Sequence, residues 1–258
     1  MSTANYALRD TRTMMRRNFR HSMRYPLLMI SSLGVPLIML ILFRFVLGGS
    51  IAPSVSSGPY IDYVAPGVIL IAAIMGASGT AIAVNTDMKS GIIKRFRTMG
   101  ISRGSVLAGH VVRSVIQTVI GTALVVGITL AVGFRPKAGL TGWLGALGIV
   151  VMLAFALTWL VVAFGLVAQT PEGANSSTLI FQVLPFVSSA FVRPESMPTG
   201  VQWFAEHQPF TPFIDAVRGL LMGTPVGNSV LWSAVWCVVL SLVGYVWARS
   251  AFERSPSR

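Results

Sequence analysis

Residues able to do chemistry are few and dispersed in this chain of 258 residues. A phosphate-binding loop requires GxxxxGKS or GxxxxGKT, but Lys89-Ser90 is the only Lys-Ser or Lys-Thr pair and Met88 occupies the glycine position. The three histidines, His21, His110 and His207, are far apart, no HExxH motif occurs, and Cys237 is a single cysteine. We therefore expect no catalytic residue, no metal site and no cofactor in this chain.

Ser78 is the one side chain that lies in a motif typical of a nucleophile. Residues 76–79 read GASG, and intramembrane serine proteases of the rhomboid type use a GxSG sequence within a six-helix bundle. A serine nucleophile needs a base within hydrogen-bond reach, and the later apolar stretches contain no histidine, which leaves His110 as the candidate. The alternative, which we favour, is that Gly76, Gly79 and Ala83 allow neighbouring helices to approach closely.

Polar side chains within apolar stretches are the other candidates for function. His110, Arg113 and Gln117 follow the spacing i, i+3, i+7, which places them on one face of a helix. They could line an inner vestibule or gate, or anchor a helix end to lipid headgroups. Further residues that could belong to a polar pathway, or else form hydrogen bonds between helices, are Thr118, Thr122 and Gln182.

The elements that must position these residues are membrane spans. Hydrophobic residues make up 53% of the chain and charged residues only 11%, whereas a soluble domain carries about 25% charged residues. A membrane-spanning helix needs roughly 20 apolar residues. We predict an all-α integral membrane domain over residues 1–258 with six transmembrane helices, at approximately 26–47, 63–84, 106–134, 140–168, 175–192 and 230–248. The fifth contains Pro185, which predicts a kinked or partly re-entrant span.

The basic residues predict the orientation of these spans. The chain has 20 Lys and Arg against 8 Asp and Glu, and fourteen of the basic residues lie on the side that holds both termini. Because Lys and Arg accumulate in cytoplasmic loops, we expect both termini in the cytoplasm. The same distribution argues against nucleic-acid binding, since the positive charge is divided among segments beside the spans.

Three segments outside the predicted spans carry patterns of their own. Residues 5–24 place Leu8, Met15 and Phe19 on one face of a helix with arginines on another, which predicts an interfacial amphipathic helix, with a disordered basic leader as the alternative. The loop 85–105 predicts a short amphipathic helix, which could anchor to lipid or be pushed by a soluble partner. Residues 193–229 are rich in proline and aromatic residues, which predicts short helices re-entering the outer leaflet, with Asp215 and Arg218 able to pair at i, i+3.

Two of these segments resemble one family of transporters. GIIKRFRTMGISRGSVLAG, residues 91–109, is similar to the cytoplasmic coupling segment of ABC-2 type permeases of the daunorubicin-resistance group. PESMPTGVQWFAEHQPFTPFIDAVRGLLMGTPVG, residues 194–227, is similar to their re-entrant MP…NPFTP…DAVRGL…G pattern. The chain departs from the family at Met99-Gly100, where a proline is frequent, and at Gln208, where an asparagine is frequent; both changes concern local turn geometry.

The resemblance implies a permease that works with two copies of a separate ATP-binding subunit, which would bind ATP and Mg. It also implies a second permease chain, as a homodimer, in a bacterial plasma membrane. The substrate would be a drug-like or lipophilic small molecule, with a lipid, a glycolipid or a peptide as alternatives. The residues that match the coupling segment are Gly91, Lys94, Arg95, Phe96 and Arg97, and those that match the outer motif are Pro209, Pro212, Asp215, Arg218 and Gly219. A lone ion-coupled carrier is disfavoured, because acidic residues are absent from the predicted spans apart from Asp62 at one edge.

Overall fold

Helices form all the regular structure in the part of the chain that our computed structural model describes, which is residues 26–46, 48, 59–90 and 103–254. The α-helices in chain order are α1 Pro26–Ile41, α2 Tyr60–Lys89, α3 Arg103–Val132, α4 Leu140–Val167, α5 Pro171–Ser177, α6 Leu179–Val183, α7 Thr199–His207, α8 Phe210–Met222 and α9 Ser229–Arg254. Single 3₁₀ turns occur at Leu184–Val187 and Pro194–Ser196, and a π-helical turn, Leu42–Val46, extends α1.

Four of these helices, α2, α3, α4 and α9, are long and apolar enough to cross a membrane. They correspond to the predicted spans 63–84, 106–134, 140–168 and 230–248, and they extend beyond the first and last of these by up to six residues at an end. The described part of the chain is therefore all-helical, and its long apolar helices indicate a membrane protein. The first predicted span, 26–47, is represented by α1 and its π-helical turn, and α1 contains Pro36, which removes a hydrogen-bond donor from the helix interior.

The predicted fifth span, 175–192, is not one continuous helix. It consists of the end of α5, all of α6, a 3₁₀ turn that contains Pro185, and irregular backbone after residue 187. The stretch still runs the length of α2: Ala174 clusters with Ala81, and Ala190 lies against Gly67, where an added Cβ atom would come within 2.9 Å. The predicted interruption at the proline is present, while a membrane crossing by this stretch stays a prediction.

The core of the bundle is formed by α2 and α4. Their buried side chains are almost entirely aliphatic or small, whereas α3 and α9 lie outside them and expose apolar residues such as Leu124 and Leu242. Because large exposed apolar surfaces mark contact with lipid or with another protein chain, this distribution agrees with a membrane environment. Glycines permit the closest helix contacts: a Cβ atom on Gly165 of α4 would lie 2.6 Å from the carbonyl oxygen of Ala81, and one on Gly244 of α9 would lie 2.6 Å from the backbone nitrogen of Leu160.

The antiparallel helices give the bundle two different ends. The capped end holds the first residues of α2, α4 and α9 and is covered by residues 184–222, including α7 and α8. The basic end holds Lys89, Arg103 and Arg254. The helices predicted within 193–229 are present as α7 and α8, and α8 ends at Gly223, whose φ of 69° is a left-handed conformation that suits glycine.

The loop predicted at 85–105 is shorter in the structure, because α2 continues to Lys89 and α3 begins at Arg103. Residues 85–89 are therefore helical and belong to the core helix rather than to the loop. The coupling residues Gly91, Lys94, Arg95, Phe96 and Arg97 lie outside the described residues, as do Leu8, Met15 and Phe19 of the predicted interfacial helix.

Candidate functional site

Arg218 on α8 is the centre of the polar contacts at the capped end. Its guanidinium donates hydrogen bonds to Asp215 at 2.6 Å, to the backbone oxygen of Tyr63 at 3.2 Å and to the backbone oxygen of Ser189. The guanidinium carbon also lies 3.9 Å from the centroid of the Tyr63 ring. One side chain thus joins α8, the first turn of α2 and the irregular segment after residue 187, and the predicted pairing of Asp215 with Arg218 is confirmed.

Further hydrogen bonds hold the capped end together around this arginine. The hydroxyl of Ser189 donates to the same carboxylate oxygen of Asp215 at 2.6 Å. Gln208, the residue that departs from the family pattern, donates to the backbone oxygen of Val187 at 2.8 Å, and the hydroxyl of Tyr60 donates to the backbone oxygen of Phe191 at 2.8 Å. These bonds satisfy backbone carbonyls in a stretch that has no regular helix to satisfy them.

The predicted outer-motif residues come together on α8. Pro209 precedes its first residue, and Pro212 lies in its first turn. Gly219 lies where the chain returns after the helix, because an added Cβ atom there would come within 2.6 Å of a Val226 side-chain carbon.

A cavity of about 440 Å³ opens beside this helix. It is lined by Tyr63, Ser189, Arg193, Pro194, Glu195, Glu206, Thr211, Pro212, Asp215, Arg218, Ser229 and Trp232.

A second polar site lies at the basic end, between α2 and α3. The Nε2 atom of His110 lies 3.3 Å from a carboxylate oxygen of Asp87, and the His110 side chain is only 6% exposed. Arg113 is close enough to Asp87 for their charges to interact. Asp87 lies within the last turn of α2, whereas His110 and Arg113 lie about two to three turns into α3.

The fully buried polar residues of α3 follow a different spacing from the series His110, Arg113, Gln117. His110, Ser114, Thr118 and Thr122 are all buried, at a constant spacing of four residues, while Arg113 and Gln117 are half-buried. The hydroxyl of Ser114 links α3 to both core helices, since it accepts from Thr80 of α2 at 2.7 Å and lies 3.0 Å from the Thr158 hydroxyl of α4. These bonds fix α3 against the core.

Gln182 does not join this polar face. Its amide donates to the Thr178 hydroxyl at 3.3 Å within its own segment. Of the residues predicted for a pathway, the structure therefore brings His110 and Arg113 to the Asp87 group, leaves Gln117 half-buried on α3, and places Gln182 in the broken stretch beside α2. A role of these residues in a transport pathway stays a prediction.

Among the described residues, no base forms a hydrogen bond with Ser78. Its hydroxyl donates to the backbone oxygen of Ile74 at 3.0 Å, as buried helix serines often do. His110 contacts Asp87, which is nine residues further along α2, or roughly 13 Å at 1.5 Å per residue. The small-residue interpretation applies to Gly76, where an added Cβ atom would lie 3.1 Å from the Thr118 hydroxyl, but not to Gly79, which faces open space.

The described residues offer no group of three or more His, Cys, Asp or Glu side chains that could hold a metal ion. The important residues that the sequence did not single out are Tyr63 and Ser189, and Asn85, an N-cap candidate in the sequence, instead lies inside α2 and has a role that the sequence did not predict. The amide of Asn85 donates to the backbone oxygens of Gly165 at 3.1 Å and of Ala168 at 2.6 Å, which satisfies carbonyls at the end of α4. A polar residue at the end of an apolar run was the available signal for Asn85.

Comparison with known proteins matches most of the chain to one family. The family model described as ABC-2 type transporter matches residues 9–222. A daunorubicin resistance ABC transporter permease protein of Streptomyces coeruleorubidus is 32% identical over 228 residues, which is 87% of this chain and 77% of the relative. A probable doxorubicin resistance ABC transporter permease protein of Mycobacterium tuberculosis is 27% identical over 223 residues, which is 84% of this chain and 80% of the relative.

Proposed function

The chain belongs to the ABC-2 type transporter family, and on that premise we propose that it is the membrane-spanning permease subunit of an exporter driven by a separate ATPase. In this proposal two copies of an ATP-binding subunit bind ATP and Mg at the basic end, and the permease itself hydrolyses nothing. It works with a second permease chain as a homodimer. The transported compound is drug-like or lipophilic, in keeping with the drug-resistance names of its relatives.

The observation that carries this proposal is the position of α2. This helix of 30 residues contacts the Arg218 group at its first turn, through Tyr63, and the His110 group at its last turns, through Asp87. An α-helix rises 1.5 Å per residue and is stiff along its axis, so a displacement at one end is carried to the other. One buried helix thus reaches from the residues that precede segment 91–102 to the cap that covers the opposite end.

The mechanism we propose follows from those contacts. ATP-driven closure of the partner subunits pushes on the coupling segment, with Gly91, Lys94, Arg95, Phe96 and Arg97 as the contact residues. Because a driver acts only through contacts that differ between states, the bonds from Arg218 to α2 and to the segment near Ser189 must differ when the capped end opens. The compound then leaves at that end by alternating access.

Charge reversal in the coupling segment tests this proposal. We expect Arg95→Glu with Arg97→Glu to abolish drug-stimulated ATP hydrolysis by the complex assembled with its ATPase in lipid nanodiscs. Arg135→Glu with Lys137→Glu, which changes the same charge between α3 and α4 at the capped end, is the matched control and should preserve stimulation. Unchanged stimulation in the first variant would contradict the assignment of this segment.

Three further points belong to the proposal. The chain is placed in a bacterial plasma membrane as a multi-pass protein with six spans and both termini in the cytoplasm, which reporter fusions at each loop would test. Mass measurement of the purified complex would give the number of permease and ATPase chains. Transport into vesicles that hold both subunits, measured over drugs, lipids, glycolipids and peptides, would identify the substrate.

A further inference from the structure

The cavity at the capped end carries an unusual concentration of charge for this protein. The chain has only 8 Asp and Glu, and three of them, Glu195, Glu206 and Asp215, line this one cavity. Two arginines, Arg193 and Arg218, line it as well. Its volume of about 440 Å³ lies within the range of small-molecule sites, roughly 300–1,000 Å³.

Two of these five charged residues, Arg218 and Asp215, already form an ion pair with each other. Arg218 is only 15% exposed and directs its donors to Asp215 and to two backbone oxygens. Glu195, Glu206 and Arg193 are exposed, and none of the three forms an ion pair with another described residue. Glu206 accepts one hydrogen bond, from Gln202 at 2.8 Å. The cavity therefore presents two carboxylates and one guanidinium to whatever occupies it.

Charge of both signs restricts the class of ligand. A simple cation would leave Arg193 without a partner, and a simple anion would be repelled by the two glutamates. A zwitterion with an ammonium group beside a phosphate matches all three side chains. Carboxylates accept strong hydrogen bonds from an ammonium group, and arginine binds phosphate through paired donors.

The position of the cavity indicates that this zwitterion is a lipid. Tyr63 and Trp232 lie in the first turns of α2 and α9, so the cavity is at the boundary of the membrane-spanning helices, where Tyr and Trp concentrate in membrane proteins. Trp232 is 55% exposed and begins an exposed apolar stripe that continues along one face of α9. This stripe consists of Trp232, Val235, Val239, Leu242 and Val246.

We propose that the cavity binds the headgroup of a phospholipid that carries a primary ammonium group, such as phosphatidylethanolamine. Arg193 contacts the phosphate, Glu195 and Glu206 accept hydrogen bonds from the ammonium group, and the acyl chains lie along the apolar stripe of α9. The lipid thereby joins the segment 193–196, α7 and α9 at the capped end. This site requires only that the chain lies in a membrane, so it stands or falls separately from the proposed transport function.

Lipid competition tests the site on the full chain. Native mass spectrometry of the purified protein, with dioleoyl phosphatidylethanolamine and dioleoyl phosphatidylglycerol in equal amounts, should show about fivefold more of the former bound, the scale of a modest charge-pair preference. In Glu195→Gln with Glu206→Gln the ratio should fall below about twofold, because the ammonium loses its acceptors. Arg193→Gln should lower binding of both lipids. The control, Glu172→Gln on α5, should retain the preference.

Two results would overturn the proposal. One is a bound ratio near one in the unaltered protein, and the other is a preference that survives in the double glutamine variant. Because the altered side chains are exposed, we expect these variants to fold, which their melting midpoints would check. A second measurement uses the unaltered protein alone: phosphatidylethanolamine acetylated on its nitrogen should compete no better than phosphatidylglycerol, and equal competition by the acetylated and free forms contradicts an ammonium site.

Discussion

Replacing Arg218 by methionine should weaken the capped end more than any other single charge removal there. The substitution keeps a long side chain but removes the bonds to Asp215, to the Tyr63 oxygen and to the Ser189 oxygen. A hydrogen bond from a charged donor contributes about 1.5–3 kcal/mol, and removing one partner of a buried pair costs about 3–5 kcal/mol. Asp215 is 36% exposed, so solvent screens its attraction to Arg218. The hydrogen bonds to the two backbone oxygens therefore supply most of the loss in the free energy of unfolding.

We therefore expect Arg218→Met to lower the free energy of unfolding by about 3–5 kcal/mol. For a chain of this size that corresponds to a fall of about 6–20 °C in Tm, measured by tryptophan fluorescence in detergent. Arg218→Lys should lower Tm by less, because lysine keeps the charge but lacks the planar guanidinium group that reaches several acceptors at once. Arg249→Met is the control, since the Arg249–Glu253 pair is exposed and should leave Tm unchanged.

Substitution of Asp215, the ion-pair partner of Arg218, should change Tm in opposite directions in the two backgrounds. In the Arg218→Met background Asp215 keeps a charge without its cation, so adding Asp215→Asn should raise Tm, whereas Asp215→Asn alone should lower it. The coupling free energy from the four proteins should be about 1–3 kcal/mol. Equal losses for the lysine and methionine variants, or additive effects of the two sites, would refute the reasoning that one arginine holds the cap.

The remaining predictions concern helix packing and can be read from the same melting assay. Gly165→Ala should cost about 1–3 kcal/mol, because its Cβ atom would lie 2.6 Å from the Ala81 oxygen, whereas Gly148→Ala, in open space on the same helix, should stabilise by about 0.5–1 kcal/mol. Equal changes in Tm for the two substitutions would contradict the close contact at Gly165. Asn85→Ala should cost about 1–3 kcal/mol, since two backbone oxygens near the end of α4 lose their donor, and Asn85→Asp should not restore it. Recovery by aspartate would contradict the assigned bonds.

Much of the architecture follows from the sequence because membrane insertion imposes simple requirements. Uncharged apolar runs predicted α2, α3, α4 and α9, and a proline predicted the break near Pro185. The pairing of Asp215 with Arg218 was predictable since it depends only on helical spacing. The contacts of Arg218 with Tyr63 and Ser189 were not predictable, because they join residues 155 and 29 positions apart and depend on how the cap folds over α2.

The orientation of α3 shows what spacing alone leaves open. The series His110, Arg113, Gln117 and the series His110, Ser114, Thr118 both satisfy helical periodicity, and only contact with α2 and α4 selects the second. The opposite face of α3 carries the sequence pattern that distinguishes the two series. Ile116, Ile120, Leu124 and Ile128 recur every four residues and are all exposed, so the lipid side of α3 is marked by aliphatic residues and the polar side faces protein.

The broken stretch beside α2 has a consequence for biosynthesis. Between α4 and the cap, no helix reaches even half of the roughly 20 residues that can insert into a bilayer independently. Its irregular backbone is tolerated at membrane depth only where protein surrounds it. A membrane crossing by this stretch, which stays a prediction, would therefore need α2 beside it, and α2 is synthesised about a hundred residues earlier. The order in which the helices are made would thus place α2 in the membrane before the stretch that packs against it.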